Sequence, residues 1–171
     1  MDLLHSYWRM EYITSPKEKE GDGHENPFVR LPQTENDREA LILYRGTHIY
    51  LILNRYPYNP GHLLAIPYRE VPDICDLTEE ERNELMEVIV LGKRCVDTTM
   101  HPDGFNIGFN LGSSAGAGIP KHLHAHIVPR WNGDTNFMPV IGKTRTLPQA
   151  LDATWEKLKA ACVQLTDKNH A

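Results

Sequence analysis

The chain has 171 residues, 40% of them hydrophobic and 24% charged, which is enough for one domain with a buried core and short for two. Its formal net charge of −5 argues against the clustered basic surface that non-specific nucleic-acid binding needs, although a local site for a phosphate-rich small ligand remains compatible with it. No apolar run approaches the roughly 20 residues that cross a bilayer, and the start of the chain lacks a basic stretch followed by an apolar one, so neither a membrane helix nor a secretory leader is expected. The three cysteines, Cys75, Cys95 and Cys162, are widely spaced and include no C-x-x-C, which points to a reducing cytoplasm rather than to a disulfide scaffold or a cysteine zinc site.

In chain order, residues 1–13 read as a short amphipathic helix or arm carrying Tyr7, Trp8 and Tyr12. Residues 14–37 are polar, with Pro and Gly, and read as a surface loop. The arm and loop, 1–37, therefore precede a single globular domain over 38–171. Residues 40–45 and 48–54 are strand-like and are joined by Gly46-Thr47, the signature of a hairpin. A turn rich in proline (55–61) leads to a third strand over 62–68. Thr78 and Glu81 form a capping box that opens a helix running to about residue 98, with Leu85, Val88, Ile89 and Gly92 on its apolar stripe. In residues 103–112, Phe105, Ile107 and Phe109 alternate with Asn106, Gly108 and Asn110, which predicts a half-buried strand. Residues 113–120 are a small-residue loop, 122–129 a fifth strand, and Pro148 to about Leu165 a closing helix. This order predicts an α+β fold on an antiparallel sheet of about five strands with two main helices.

The chemistry is concentrated in Lys121-His122-Leu123-His124-Ala125-His126-Ile127. On a strand, alternation places His122, His124 and His126 on one face, about 7 Å apart, and Leu123, Ala125 and Ile127 on the core face. Three readings are open. The histidines could be merely hydrogen-bonded. They could bind a metal, but the nearest carboxylate downstream is Asp134, eight residues past His126, so no metal cage is evident. They could attack a phosphate, with one imidazole as nucleophile and its neighbours as donors.

H-x-H-x-H followed by apolar residues resembles the signature of the histidine-triad superfamily. Asn54-Arg55-Tyr56-Pro57-Tyr58-Asn59-Pro60-Gly61-His62 resembles its N-R-x-P-x-x-P-G-H segment. Pro129-Arg130-Trp131-Asn132-Gly133-Asp134 resembles its P-R-x-x-G-D segment. The resemblance spans residues 38–150, with an echo in the arm at 7–12, and is nearest to the fragile-histidine-triad branch and the bacterial diadenosine tetraphosphate phosphorylases.

The resemblance implies that His124 attacks an α-phosphate to form an AMP–histidine intermediate, while His122 and His126 donate hydrogen bonds to phosphate oxygens or the leaving group. The second ring nitrogen of His124 must be held as a donor, as by a backbone carbonyl. It also implies that Asn54 contacts a ribose, that His62 lies near the nucleotide, and that Asn110 contacts phosphate. The loop residues Ser113, Ser114, Gly116, Ala117 and Gly118 would offer backbone N–H groups to phosphate. Lys121 and Arg130 would offset its charge, and Trp131 would wall the pocket or pack between subunits. Residues 115–121 are one longer than in the fragile-histidine-triad branch and contain no Gln, Ser or Thr, which favours a phosphorylase over a hydrolase. Hydrolysis of dinucleoside polyphosphates or nucleoside phosphoramidates, and a non-catalytic nucleotide sensor, stay open as alternatives. No cofactor is required, although a divalent cation could accompany the nucleotide. The expected partners are a diadenosine polyphosphate, AMP, ATP and inorganic phosphate. A homodimer with joined sheets is implied, and a tetramer stays open.

Overall fold

The computed structural model describes residues 26–134 and 151–167. The arm at 1–13, residues 14–25 of the polar loop and the start of the closing helix at 148–150 lie outside the described residues. Five strands form one antiparallel sheet in the order β1-β2-β3-β5-β4. They are β1 (Ile42–Arg45), β2 (Ile49–Leu53), β3 (Leu63–Pro67), β4 (Gly104–Phe109) and β5 (Ala125–Arg130). Among the described residues the α-helices, in chain order, are α1 (Pro27–Arg30), α2 (Asp37–Ala40), α3 (Glu79–Met100) and α4 (Leu151–Asp167). The α+β architecture with two long helices is therefore as expected. None of the described helices is long and apolar enough to cross a membrane.

α3 begins where the capping box places it. The Thr78 side chain accepts from the Glu81 N–H, and the Glu81 carboxylate accepts from the Thr78 N–H. Arg69 also holds Glu81, and that hydrogen-bonded guanidinium brings its carboxyl down to about 2. α3 lies on the sheet through Gly92, where an added Cβ would come within 2.9 Å of Ile127 and 3.1 Å of Leu51. Absence of a side chain there lets helix and sheet approach closely. α4 packs on α3, with Cys95 and Cys162 meeting in the core, and it reaches β1 through the Trp155 indole, which donates to the Ile42 carbonyl.

Both faces of β2 are buried. Leu51 faces α3, so its neighbour Tyr50 faces the other way, where its hydroxyl donates to the Phe28 carbonyl at 2.8 Å. Residues 26–37, expected as surface loop, thus include a helical turn that covers this second face and buries Phe28. Asn26 caps it by accepting from the Phe28 N–H, and Pro27 stands at its first position. Asn-Pro is a helix-start signal, which the polar composition of the segment concealed.

Two further expectations change. The β1–β2 connection is three residues, Gly46 to His48, because Glu84 of α3 accepts from the Thr47 and His48 N–H groups and shapes the turn. The fifth strand starts only at Ala125. Pairing between β3 and β5 stops at Ala65↔Ala125, and upstream of it Leu123 donates instead to the Val71 carbonyl at 2.7 Å. Only His126 of the three histidines therefore lies in the strand. The rings of His124 and His126 are 4.9 Å apart, closer than regular alternation predicts. Leu123, Ala125 and Ile127 are all buried, as expected for the core side.

Candidate active site

His124 is buried, and its Nδ1 lies 2.8 Å from the His122 carbonyl. A carbonyl can only accept, so Nδ1 carries the proton and Nε2 keeps its lone pair. Burial holds the His124 pKa below the ordinary imidazole value, partly opposed by that carbonyl. The ring is thus a neutral base with one nitrogen available for attack. The carbonyl that fixes it belongs to the first histidine of the motif.

His122 is spent within the protein. Its Nε2 donates to the Pro67 carbonyl at 2.8 Å, so Nδ1 is the acceptor for the Asn26 amide at 2.9 Å. Burial lowers its pKa as well. The expectation that His122 donates to phosphate does not fit this geometry, because its one N–H already has a partner. Asn26 also donates to Glu70, and Phe28 packs edge-on against His122 and at a tilt against His124. Asn26 and Phe28 were missed in the sequence because they belong to a polar stretch far from the motif.

His126 is set by a second chain of bonds. The Tyr58 N–H donates to His62 Nδ1 at 3.0 Å, and the Asn54 amide approaches the same nitrogen at 3.3 Å. His62 Nε2 therefore carries the proton and faces His126 Nδ1 at 3.0 Å. In neutral His126 the proton is left on Nε2, and the Asn110 amide 3.5 Å away then has to present its oxygen, not its N–H₂, to that nitrogen. The Tyr58 ring stacks on both His62 and His126. Tyr58 was not singled out from the sequence, where it reads as part of a proline-rich turn.

The remaining candidates divide. Asn54 accepts from the Tyr56 N–H while touching His62, so it caps the turn after β2 and braces the relay. Arg130 does not offer an unopposed charge to phosphate. Asp134 takes its Nε and Nη2, and Nη1 donates to Asn106. The same pairing holds the Asp134 carboxyl well below the usual range. Trp131 donates its N–H to Asp134 just past β5. Ser113 and Ser114 begin an exposed 3-10 turn between Gly112 and Gly116, both at positive φ. Within this loop the Gly116 and Ala117 N–H groups donate internally, to Ser113 and Gly112. Gly118 and Lys121 are exposed beyond it. Among the described residues no group of three or more His, Cys, Asp or Glu is arranged to hold a metal ion.

A neutral imidazole with one nitrogen available, a second histidine beside it and a small-residue loop ahead of them can support nucleotidyl transfer. Residues 35–133 match the HIT domain family. The chain belongs to that family. It is 42% identical over 160 residues to AP-4-A phosphorylase of Mycobacterium tuberculosis, covering 90% of this chain and 82% of that one. It is also 33% identical over 91 residues to the bis(5'-adenosyl)-triphosphatase of Saccharomyces cerevisiae, covering 53% of this chain and 44% of that protein. Among solved structures, a zinc-bound histidine triad family protein from Mycobacterium smegmatis superposes with a TM-score of 0.61 at 30% identity, over 75% of this chain and 87% of that one.

Proposed function

We propose that this protein transfers AMP from a dinucleoside polyphosphate to inorganic phosphate. His124 Nε2 attacks the α-phosphorus at one end of diadenosine tetraphosphate. The bond to the bridging oxygen breaks, ATP leaves, and AMP stays on His124. Phosphate then attacks the same phosphorus from the vacated side and releases ADP, restoring the imidazole. The observation that carries this reading is the 2.8 Å bond from His124 Nδ1 to the His122 carbonyl, which directs the lone pair onto Nε2. The M. tuberculosis relative supports phosphate as the acceptor.

His126 donates its Nε2 proton to the departing oxygen, and preorganised donors of this kind stabilise charge as it develops. His122 acts through its carbonyl and its packing rather than by touching phosphate. Ser113, Ser114, Gly118 and Lys121 form the phosphate-facing loop, and Asn110 closes it on the β4 side. We place the enzyme in the cytoplasm as a homodimer. Among the described residues β4 is an edge strand of the sheet and carries Ile107 at 46% exposure, the kind of edge that a second copy covers.

Hydrolysis is the second reading, favoured by the S. cerevisiae triphosphatase match. The deciding experiment incubates purified protein with diadenosine tetraphosphate, with and without phosphate, and resolves the products by chromatography. ADP and ATP formed only with phosphate, and lost in His124→Ala, is the expected result. AMP and ATP without phosphate would establish a hydrolase instead.

A further inference from the structure

On the sheet face opposite α3, a groove of about 390 Å³ runs along β4 and β5 from His126 to Arg130. That volume is in the range of small-molecule sites. The even-numbered residues of the two strands form its base, with Gly108 directly opposite His126 and Asn106 opposite Val128. Tyr58 and Asn110 line the end nearest the triad, whereas His124 and Phe28 are not part of the lining.

The geometry points to this groove as the seat of the second nucleoside, the one that departs with the leaving polyphosphate. The inference rests on the AMP-transfer reading above. In-line displacement puts the leaving group on the side of the phosphorus opposite the attacking nitrogen. His126, the donor assigned above to the departing oxygen, lines the groove at its triad end, so whatever that oxygen carries continues into it. Charge then selects between the two parts of the leaving group. Arg130 is the only cationic residue in the lining, and Asp134 offsets it, so the groove is poorly suited to several phosphate charges. Its other features suit a nucleoside. Tyr58 lines it with an aromatic ring, Val128 gives it an apolar floor, and Asn106 places an amide there for hydroxyls or a base edge. The Arg130 bond to Asn106 Oδ1 leaves that amide's N–H₂ as its donor toward a ligand.

Gly108 keeps the groove open. A Cβ built there meets nothing within 4 Å, and its φ is not in the left-handed region, so a side chain would project into the groove without straining the strand. Gly104 on the same strand is equally unobstructed but does not line the groove, which makes it a matched control.

The test uses His124→Ala protein, which binds without turnover, and measures dissociation constants for AMP, adenosine 5′-tetraphosphate and diadenosine tetraphosphate by calorimetry. Adding Gly108→Leu is expected to weaken diadenosine tetraphosphate about ten-fold, the scale of one lost aromatic contact, and to change the two mononucleotides less than about two-fold. Gly104→Leu should change none of the three, and Asn106→Ala should weaken only the dinucleotide. Equal loss for adenosine 5′-tetraphosphate would assign the groove to the phosphate chain and overturn the proposal. So would equal loss for AMP, or no loss at all. Failure of the His124→Ala parent to bind any of the three would instead reject the nucleotide reading itself. Thermal melting of each variant separates local from global effects.

Discussion

His62 Nε2 stands 3.0 Å from His126 Nδ1, joining a fully buried histidine after the Pro-Gly turn to one 64 residues later in β5. Because the Tyr58 N–H occupies the other nitrogen of His62, the proton order along this chain has a single neutral solution. It ends with a proton on His126 Nε2, beside the Asn110 amide.

Replacing His62 with Gln should therefore act through His126. The expected outcome is a fall in kcat of about 10² with KM changed little, the scale of one general acid. A substrate whose leaving group needs no proton, such as a p-nitrophenyl ester of AMP, should be nearly insensitive. Equal losses on both substrates would mean that His62 serves only the fold.

The acid limb of the reaction should lie lower than an ordinary imidazole allows. Burial lowers the pKa of His124, so the free base persists below the usual value of about 6.5. Single-turnover formation of the AMP–enzyme, followed against pH, should lose its rate only below that value. An inflection at or above it would contradict the burial argument.

Stability should fall over the same acid range. His122 and His124 are both depressed in the folded state, so the unfolded chain binds protons first as pH drops. Their contribution is complete above about pH 6.5 and drains as pH passes through the lower folded values. Denaturant melts between pH 7 and 5 should show the decline, and His122→Asn should flatten it.

Phe28→Ala removes a ring that touches two triad histidines and belongs to the core. A loss of about 3 kcal/mol is expected from the transfer and cavity terms. Activity should fall beyond the population effect, measurable as a reduced kcat under conditions where the variant is fully folded. Unchanged kcat would show that the covering turn supports only the sheet.

Glu81→Gln tests the capping box at a position remote from the triad. Losing the charged bonds to Arg69 and the Thr78 N–H should cost about 1–2 kcal/mol. At pH 7 kcat should not change. The stability difference should shrink as pH falls from about 4.5 toward 2, because the wild-type carboxyl is then protonated as well.

Local pattern alone was sufficient for much of this protein. Period-two alternation marked β4, the Thr78–Glu81 pair marked the start of α3, and the histidine spacing marked the chemistry through its resemblance to the histidine-triad signature. These signals are legible because each depends on residues within one turn or one strand. What each histidine does was decided only by tertiary structure. His122 lost its expected role because Pro67 and Asn26, 55 and 96 residues away, occupy both its nitrogens. His126 acquired its proton order from His62 and Tyr58. Arg130 lost its free charge when the chain turned back to bring Asp134 against it. A tautomer or an ion pair is a property of the partner atoms within about 3 Å, and sequence spacing does not specify those partners.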